Sequence, residues 1–130
     1  MNILTNQKLY WLNVAEEDLI TCKSLFKTKR YLHCLFFADL TIEMALKALV
    51  IHDRKRLPPY IHNLEKIYSL TNKDLDISID FLRDINEYNI NARYPDEREK
   101  LRKGINEKTI GDTIITVDQI FTLICNKIQQ

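Results

Sequence analysis

The stretch from Tyr31 to Asp53 constrains this chain more than any other. Tyr31, Leu35, Ala38, Ile42, Ala45, Leu49 and His52 recur at alternating steps of four and three residues. That spacing draws one apolar stripe along a helix. Phe36, Leu40, Leu46 and Val50 then carry the apolar surface well beyond the stripe. A helix apolar around so much of its circumference has to be enclosed by other elements, so this one is expected at the centre of the fold. It must stop before Pro58 and Pro59, which supply no backbone donor and disfavour helix in the residue ahead of them. Only two glycines and three prolines occur in all 130 residues, which leaves few other obligatory breaks.

The remaining segments show the same period. A first helix is expected from Thr5 or Asn6 to near Lys27, with Leu12, Ala15, Leu19, Cys22 and Phe26 inward. A short one is expected from Asn63 to about Leu70, with Leu64 and Ile67 inward, followed by a turn at residues 71–74. The next begins near Asp74 or Asp76, carries Leu75, Ile79, Leu82 and Ile85, and ends near Asn91 or Ala92 because Pro95 penalises more helix. Residues 93–105 read as a polar loop closed by Gly104. The last helix runs from Thr109 almost to the C-terminus on Ile110, Ile114, Val117, Phe121, Ile124 and Ile128. Ile114-Ile115-Thr116-Val117 alone would pass for a strand, but the sustained helical period decides for helix. The expected fold is all-α: an antiparallel four-helix up-and-down bundle plus one short extra helix, in a single domain over residues 1–130.

Composition narrows the function. The formal net charge is +1, so there is no global basic field, and any nucleic-acid site must be local. Cys22, Cys34 and Cys125 are odd in number and form no Cys-x-x-Cys pair, which points to reduced thiols and a cytoplasmic protein. His33-Cys34 with Cys22 lacks zinc-finger spacing. No Walker loop, Gly-x-Gly-x-x-Gly or Ser-His-Asp arrangement is present, so no metal and no cofactor is expected. The N-terminus lacks the apolar run of a signal peptide, and no apolar stretch is long enough to span a membrane.

Three separated segments carry a family signature. They are Glu43-Met44-Ala45-Leu46-Lys47-Ala48-Leu49, then Pro58-Pro59-Tyr60-Ile61-His62-Asn63-Leu64, and then Asn86 to Asp96, which includes Ala92-Arg93-Tyr94-Pro95-Asp96. In that order they resemble the HEPN domain, a small all-helical family with RNA-cleaving members and members without demonstrated chemistry. The resemblance runs from about Trp11 to Ile128. It implies dimerisation through helix faces. It also implies, as partner, a small nucleotidyltransferase, with which some family members form toxin–antitoxin pairs. Toxin members modified by such a partner carry a Tyr two residues after the active His, where this chain has Leu64.

Two sets of candidate residues follow. Arg56 and His62 fit the family's catalytic Arg–His spacing. Metal-free RNA cleavage needs a base for the 2′-hydroxyl proton and a cation for the phosphate, which His and Arg supply. The structural reading makes His62 the cap or anchor of the short helix and Arg56 a solvated loop residue. Arg93, Tyr94 and Asp96 form the second set: a phosphate fork and a stacking face stiffened by Pro95, or a packed Tyr, a paired Arg and a capping Asp. On the central helix, Asp39 and Glu43 are four residues apart on a surface with little water, so both need partners. Arg93 and Asn86 are the candidates, and Glu43–Lys47 is a pair by spacing. Two basic runs, residues 53–56 and 92–103, each sum to +2.

The preferred function is a nucleotide- or RNA-binding interaction module with Arg93, Tyr94, Asp96, Asn86 and Glu43 at its site, the accessory partner of a nucleotidyltransferase. The alternative is a metal-independent endoribonuclease using Arg56 and His62. A catalytic His62 should sit in a cleft beside an Arg. A structural one should be enclosed and bonded to backbone. Phe36, Phe37 and Leu123 exceed what one bundle can cover, which predicts a homodimer.

Overall fold

The computed structural model describes residues 2–129. It is all-α, with six helices and no strand among the described residues: α1 (Ile3–Lys27), α2 (Tyr31–Arg54), α3 (Leu64–Ser69), α4 (Ile79–Asn91), α5 (Pro95–Gly104) and α6 (Glu107–Ile128). α2 packs against α1, α3, α4 and α6, so it is the central helix that its apolar pattern demands.

α1 and α2 are joined by a tight turn. Lys29 takes the left-handed conformation (φ 62°), Arg30 N donates to Leu25 O and Lys29 N donates to Phe26 O. These are the two bonds of a Schellman motif, here formed with Lys where Gly is the usual occupant. Cys22 and Cys34 meet inside this hairpin, both wholly buried, and each thiol donates to the other residue's carbonyl at 3.3 Å. α2 ends at Lys55, again left-handed (φ 57°), whose N–H bonds Ile51 O. The core gathers Ala15 and Leu19 of α1, the α2 stripe, Leu64 and Ile67 of α3, Leu82 and Ile85 of α4, and Ile110, Val117 and Ile124 of α6.

The expectations differ from the structure chiefly after α4. Residues 95–104, read as loop, are the helix α5. Pro95 begins it rather than merely ending its predecessor, because the missing N–H costs nothing at the first helical position. Asp96 and Glu97 lie in its first turn and Arg102 and Lys103 in its last, which suits the helix dipole. Gly104 is its last helical residue, not a loop hinge. Three starts also move to better caps. α1 is capped by Asn2, α4 starts five or three residues late behind Ser78, and α6 starts at Glu107 behind Asn106, which forms a capping box with Thr109. No helix among the described residues is long and apolar enough to cross a membrane.

Candidate functional site

One side of α2 does not follow the apolar plan. Asp39, Glu43 and Lys47, spaced four apart, are 1%, 3% and 4% exposed. Burying three ionisable groups is costly unless each is bonded, and the segments after α2 supply the partners. Asn86 and Asn89, three apart on α4, each donate a side-chain N–H to Asp39, at 3.1 Å to Oδ1 and 2.7 Å to Oδ2. Asn86 also donates to the carbonyl of His62 at 3.2 Å, and its Oδ1 accepts from Leu64 N at 3.2 Å. One amide thus ties α2, the entry to α3 and α4 together.

Glu43 Oε2 accepts from Lys47 Nζ at 3.0 Å and lies 3.0 Å from Nδ1 of His62. An ionised carboxylate only accepts, so Nδ1 carries the hydrogen and Nε2 is left to face outward. The His62 side chain is 82% exposed, while that of Glu43 is 4% exposed. Lys47 Nζ also lies 5.3 Å from the centroid of the Trp11 ring on α1, a cation–π contact that helps it tolerate burial. Burial pushes the Asp39 carboxyl up to about 6. The bonds from Asn89 and Asn86 pull it back, the Glu43 charge raises it further and the Arg93 charge lowers it.

Above this network lies a cleft of about 400 Å3, lined by the buried Asp39, Glu43 and Asn89 and by the more exposed His62, Asn86 and Arg93. The fold therefore brings Glu43, His62, Asn86 and Arg93 to one place. It does not bring Arg56 there: that residue is exposed in the bend after α2 and lines no part of the cleft. Tyr94 is 61% exposed at the N-cap position of α5, and Asp96 is exposed in the first turn of that helix; neither lines the cleft. Arg93 makes no ion pair among the described residues and reaches Asp39 only through its field, whereas Asn86 is a direct partner of that acid. The cap of α3 is not His62 but Asn63, whose Oδ1 accepts from Lys66 N at 3.0 Å. His62 is neither enclosed nor bonded through its ring to backbone; it stands in a cleft with an Arg. Asn89 was not foreseen. Its signal was present, since it follows Asn86 by three residues and so shares its helix face.

The HEPN domain family matches residues 9–128, nearly the whole chain. The chain belongs to the HEPN domain family. Among solved structures, this HEPN domain is similar to the crystal structure of TT1696 from Thermus thermophilus, with a TM-score of 0.76 and 20% identity over 94% of this chain and 98% of that one. At that identity the likeness shows a shared fold. No curated protein matches the sequence. Among the described residues of this HEPN domain, no group of His, Cys, Asp and Glu side chains is placed to hold a metal ion.

Proposed function

We propose that this HEPN domain is a nucleotide- or RNA-binding interaction module, and that its ligand enters the cleft between α2, α4 and the entry to α3. One observation carries this reading. Arg93 presents an exposed guanidinium with no ion-pair partner among the described residues, beside a set of fixed amides and an exposed imidazole. A free fork of this kind suits phosphate, and the Asn63 amide nitrogen and the His62 ring suit the edges of a base or sugar, while Asn86, whose N–H groups are spent on Asp39 and the His62 carbonyl, holds the cleft wall in place. Tyr94 and Asp96, outside the cleft, are left to flank its entrance. The protein then acts as a single-domain accessory partner of a small nucleotidyltransferase in a toxin–antitoxin-like pair, working as a homodimer in the cytoplasm. Leu123, 37% exposed and away from the cleft, supports the homodimer. The long helices α1, α2, α4 and α6 are read as its antiparallel bundle. Binding titrations of Arg93→Ala and Arg56→Ala at one salt concentration test the site. Arg93→Ala is expected to lose about 1.5–3 kcal/mol of affinity and Arg56→Ala much less. Equal small losses would remove the cleft as the site.

A second reading, a metal-independent endoribonuclease, is favoured by the Glu43–His62 contact. It orients the ring and leaves Nε2 outward in the same cleft as Arg93. In this reading Nε2 accepts the 2′-hydroxyl proton. The freed oxygen attacks the neighbouring phosphorus to form a 2′,3′-cyclic phosphate, Arg93 holds the charged phosphoryl oxygens, and the P–O5′ bond breaks as the 5′-oxygen takes a proton from water. Arg93 thereby takes the place that the Arg–His spacing assigned to Arg56. RNA cleavage is measured with a chelator present, for wild type, His62→Ala and Arg93→Ala. Chelator-resistant cleavage lost in both variants at unchanged melting temperature establishes the nuclease. Absence of cleavage in wild type leaves the binding module.

A further inference from the structure

Arg93, Asn89 and Phe36 belong to two hollows at once. They line the His62 cleft, and they line a neighbour of about 120 Å3 that His33, Tyr88 and Arg98 complete. His33 and Arg98 in turn wall a third hollow, of about 300 Å3, with Lys29, Arg30, Tyr31 and Arg102. Through these shared walls the three hollows adjoin one another in a row from His62 toward the turn between α1 and α2.

The far end of the row is chemically one-sided. Among the described residues its wall holds Lys29, Arg30, Arg98 and Arg102, and no carboxylate. The net charge of the whole chain is only +1, so this is a concentration of charge and not a sample of a basic surface. Two of the cations come from the α1–α2 turn and two from α5, so the fold gathers them from distant parts of the sequence. Like charges gathered in this way repel unless an anion lies among them. The competing internal contacts are few: Arg102 Nε is 3.5 Å from Glu99, and Arg98 Nη1 donates to Ala92 O at 3.4 Å. Arg98 and Arg102 stand one helical turn apart, about 6 Å along the axis, comparable with the step between phosphates of a single strand. Aromatic rings accompany the charge. Tyr31 is half-buried in the third hollow, and Phe36 and Tyr88 are 39% and 37% exposed in the second.

We propose that this row is a binding track for a single-stranded polynucleotide, with Lys29, Arg30, Arg98 and Arg102 on successive phosphates and Phe36 and Tyr88 as stacking faces for its bases. A basic groove interleaved with aromatic faces is the construction that holds single strands without reading their sequence. A duplex keeps its base faces stacked away from such rings, and rings set in the walls of a hollow do not project into a lipid surface. The track rests on the proposed function and deepens it: it makes the ligand a strand of several nucleotides, with its reactive or recognised step at the His62 cleft.

The test is fluorescence anisotropy with a labelled single-stranded oligouridylate of about 12 nucleotides, titrated at several salt concentrations. Arg98→Ala/Arg102→Ala and Lys29→Ala/Arg30→Ala are compared with wild type and with Lys66→Ala/Lys73→Ala, which removes the same charge elsewhere. These four proteins and Arg93→Ala are melted to confirm folding. Each track variant is expected to bind about tenfold or more weakly, with a salt slope smaller by about 1.4, while the control pair is unchanged. Uridine monophosphate is expected to bind the track variants as it binds wild type, and to lose affinity in Arg93→Ala. Oligouridylate binding that depends on Arg93 but not on the track pairs overturns the track and leaves the cleft. Equal losses in the control pair, equal competition by duplex RNA, or equal competition by phosphatidylserine vesicles also overturns it. Failure of oligouridylate to bind at all overturns both.

Discussion

On one side of α2, Ala38, Ile42, Ala45 and Leu49 are at most 1% exposed and are held by shape alone. On the other, Asp39, Glu43 and Lys47 are nearly as deeply buried and are held by named bonds to Asn86, Asn89, His62 and each other. The two sides fail differently. An apolar face loses stability in proportion to the volume removed and tolerates an isosteric swap. A bonded polar face tolerates neither partner alone, because the survivor keeps its desolvation cost. The polar side is therefore the more brittle one, and it is the side that opens to the cleft.

The largest expected effect comes from stranding a charge there. Glu43→Ala should cost about 3–5 kcal/mol, because Lys47, with 6% of its side chain exposed, keeps its ammonium without a carboxylate. Glu43→Leu combined with Lys47→Met should recover most of that, and Ile42→Val across the helix should cost only about 0.5–1.5 kcal/mol. Urea midpoints of wild type and these three variants measure the contrast. A Glu43→Ala loss no greater than that of Ile42→Val would mean the two sides are alike.

The next effect depends on pH. Asp39 binds its proton more tightly folded, at about 6, than its ordinary value of 3.8. Its stabilising contribution is therefore complete below about 4 and is lost as pH rises to about 6, a change of about 3 kcal/mol at 1.36 kcal/mol per unit. Asp39→Asn cannot lose that proton. Relative to wild type it should gain stability across this window and stay level above it. A difference between the two proteins that does not vary with pH would show that Asp39 is not desolvated.

The smallest effects separate the mouth of the cleft from its floor. Asn63→Ala removes the α3 cap and should cost about 0.5–2 kcal/mol. His62→Ala, one residue earlier, should cost no more than about 0.5 kcal/mol, since the ring is exposed and Glu43 keeps Lys47. A melting temperature lowered more by His62→Ala than by Asn63→Ala would make His62 a structural anchor.

What the sequence disclosed follows the same division. The apolar side of α2 was legible because a period of three and four leaves a visible stripe, and α1, α4 and α6 were found the same way. α5 was hidden because its interior is Asp, Glu, Arg and Lys with Leu101 alone as a large apolar residue, and its stability rests on end charges and close ion pairs that leave no stripe. At the site, the need of Asp39 and Glu43 for partners was legible from their place on an apolar helix, and Asn86 was named. The pairing of Glu43 with His62 was not, because it bridges a break at two prolines whose direction no periodicity fixes. Spacing along the chain pairs Arg56 with His62, whereas the cleft that holds His62 is lined by Arg93, which α4 brings back to α2.

Cys22 and Cys34, closed into the α1–α2 hairpin, give the molecule its own clock. Burial pushes the first thiol up to about 12 and the second to about 11, so neither is a nucleophile while the hairpin is shut. Cys125 is only half-buried, and its raised thiol reacts from the folded state. An alkylating probe therefore marks Cys125 first, and the other two only at moments when α1 parts from α2. The labelling rate of these two thiols, set against that of the same thiols in the unfolded chain, reads how much of the hairpin stands open, in the native protein and without a mutation.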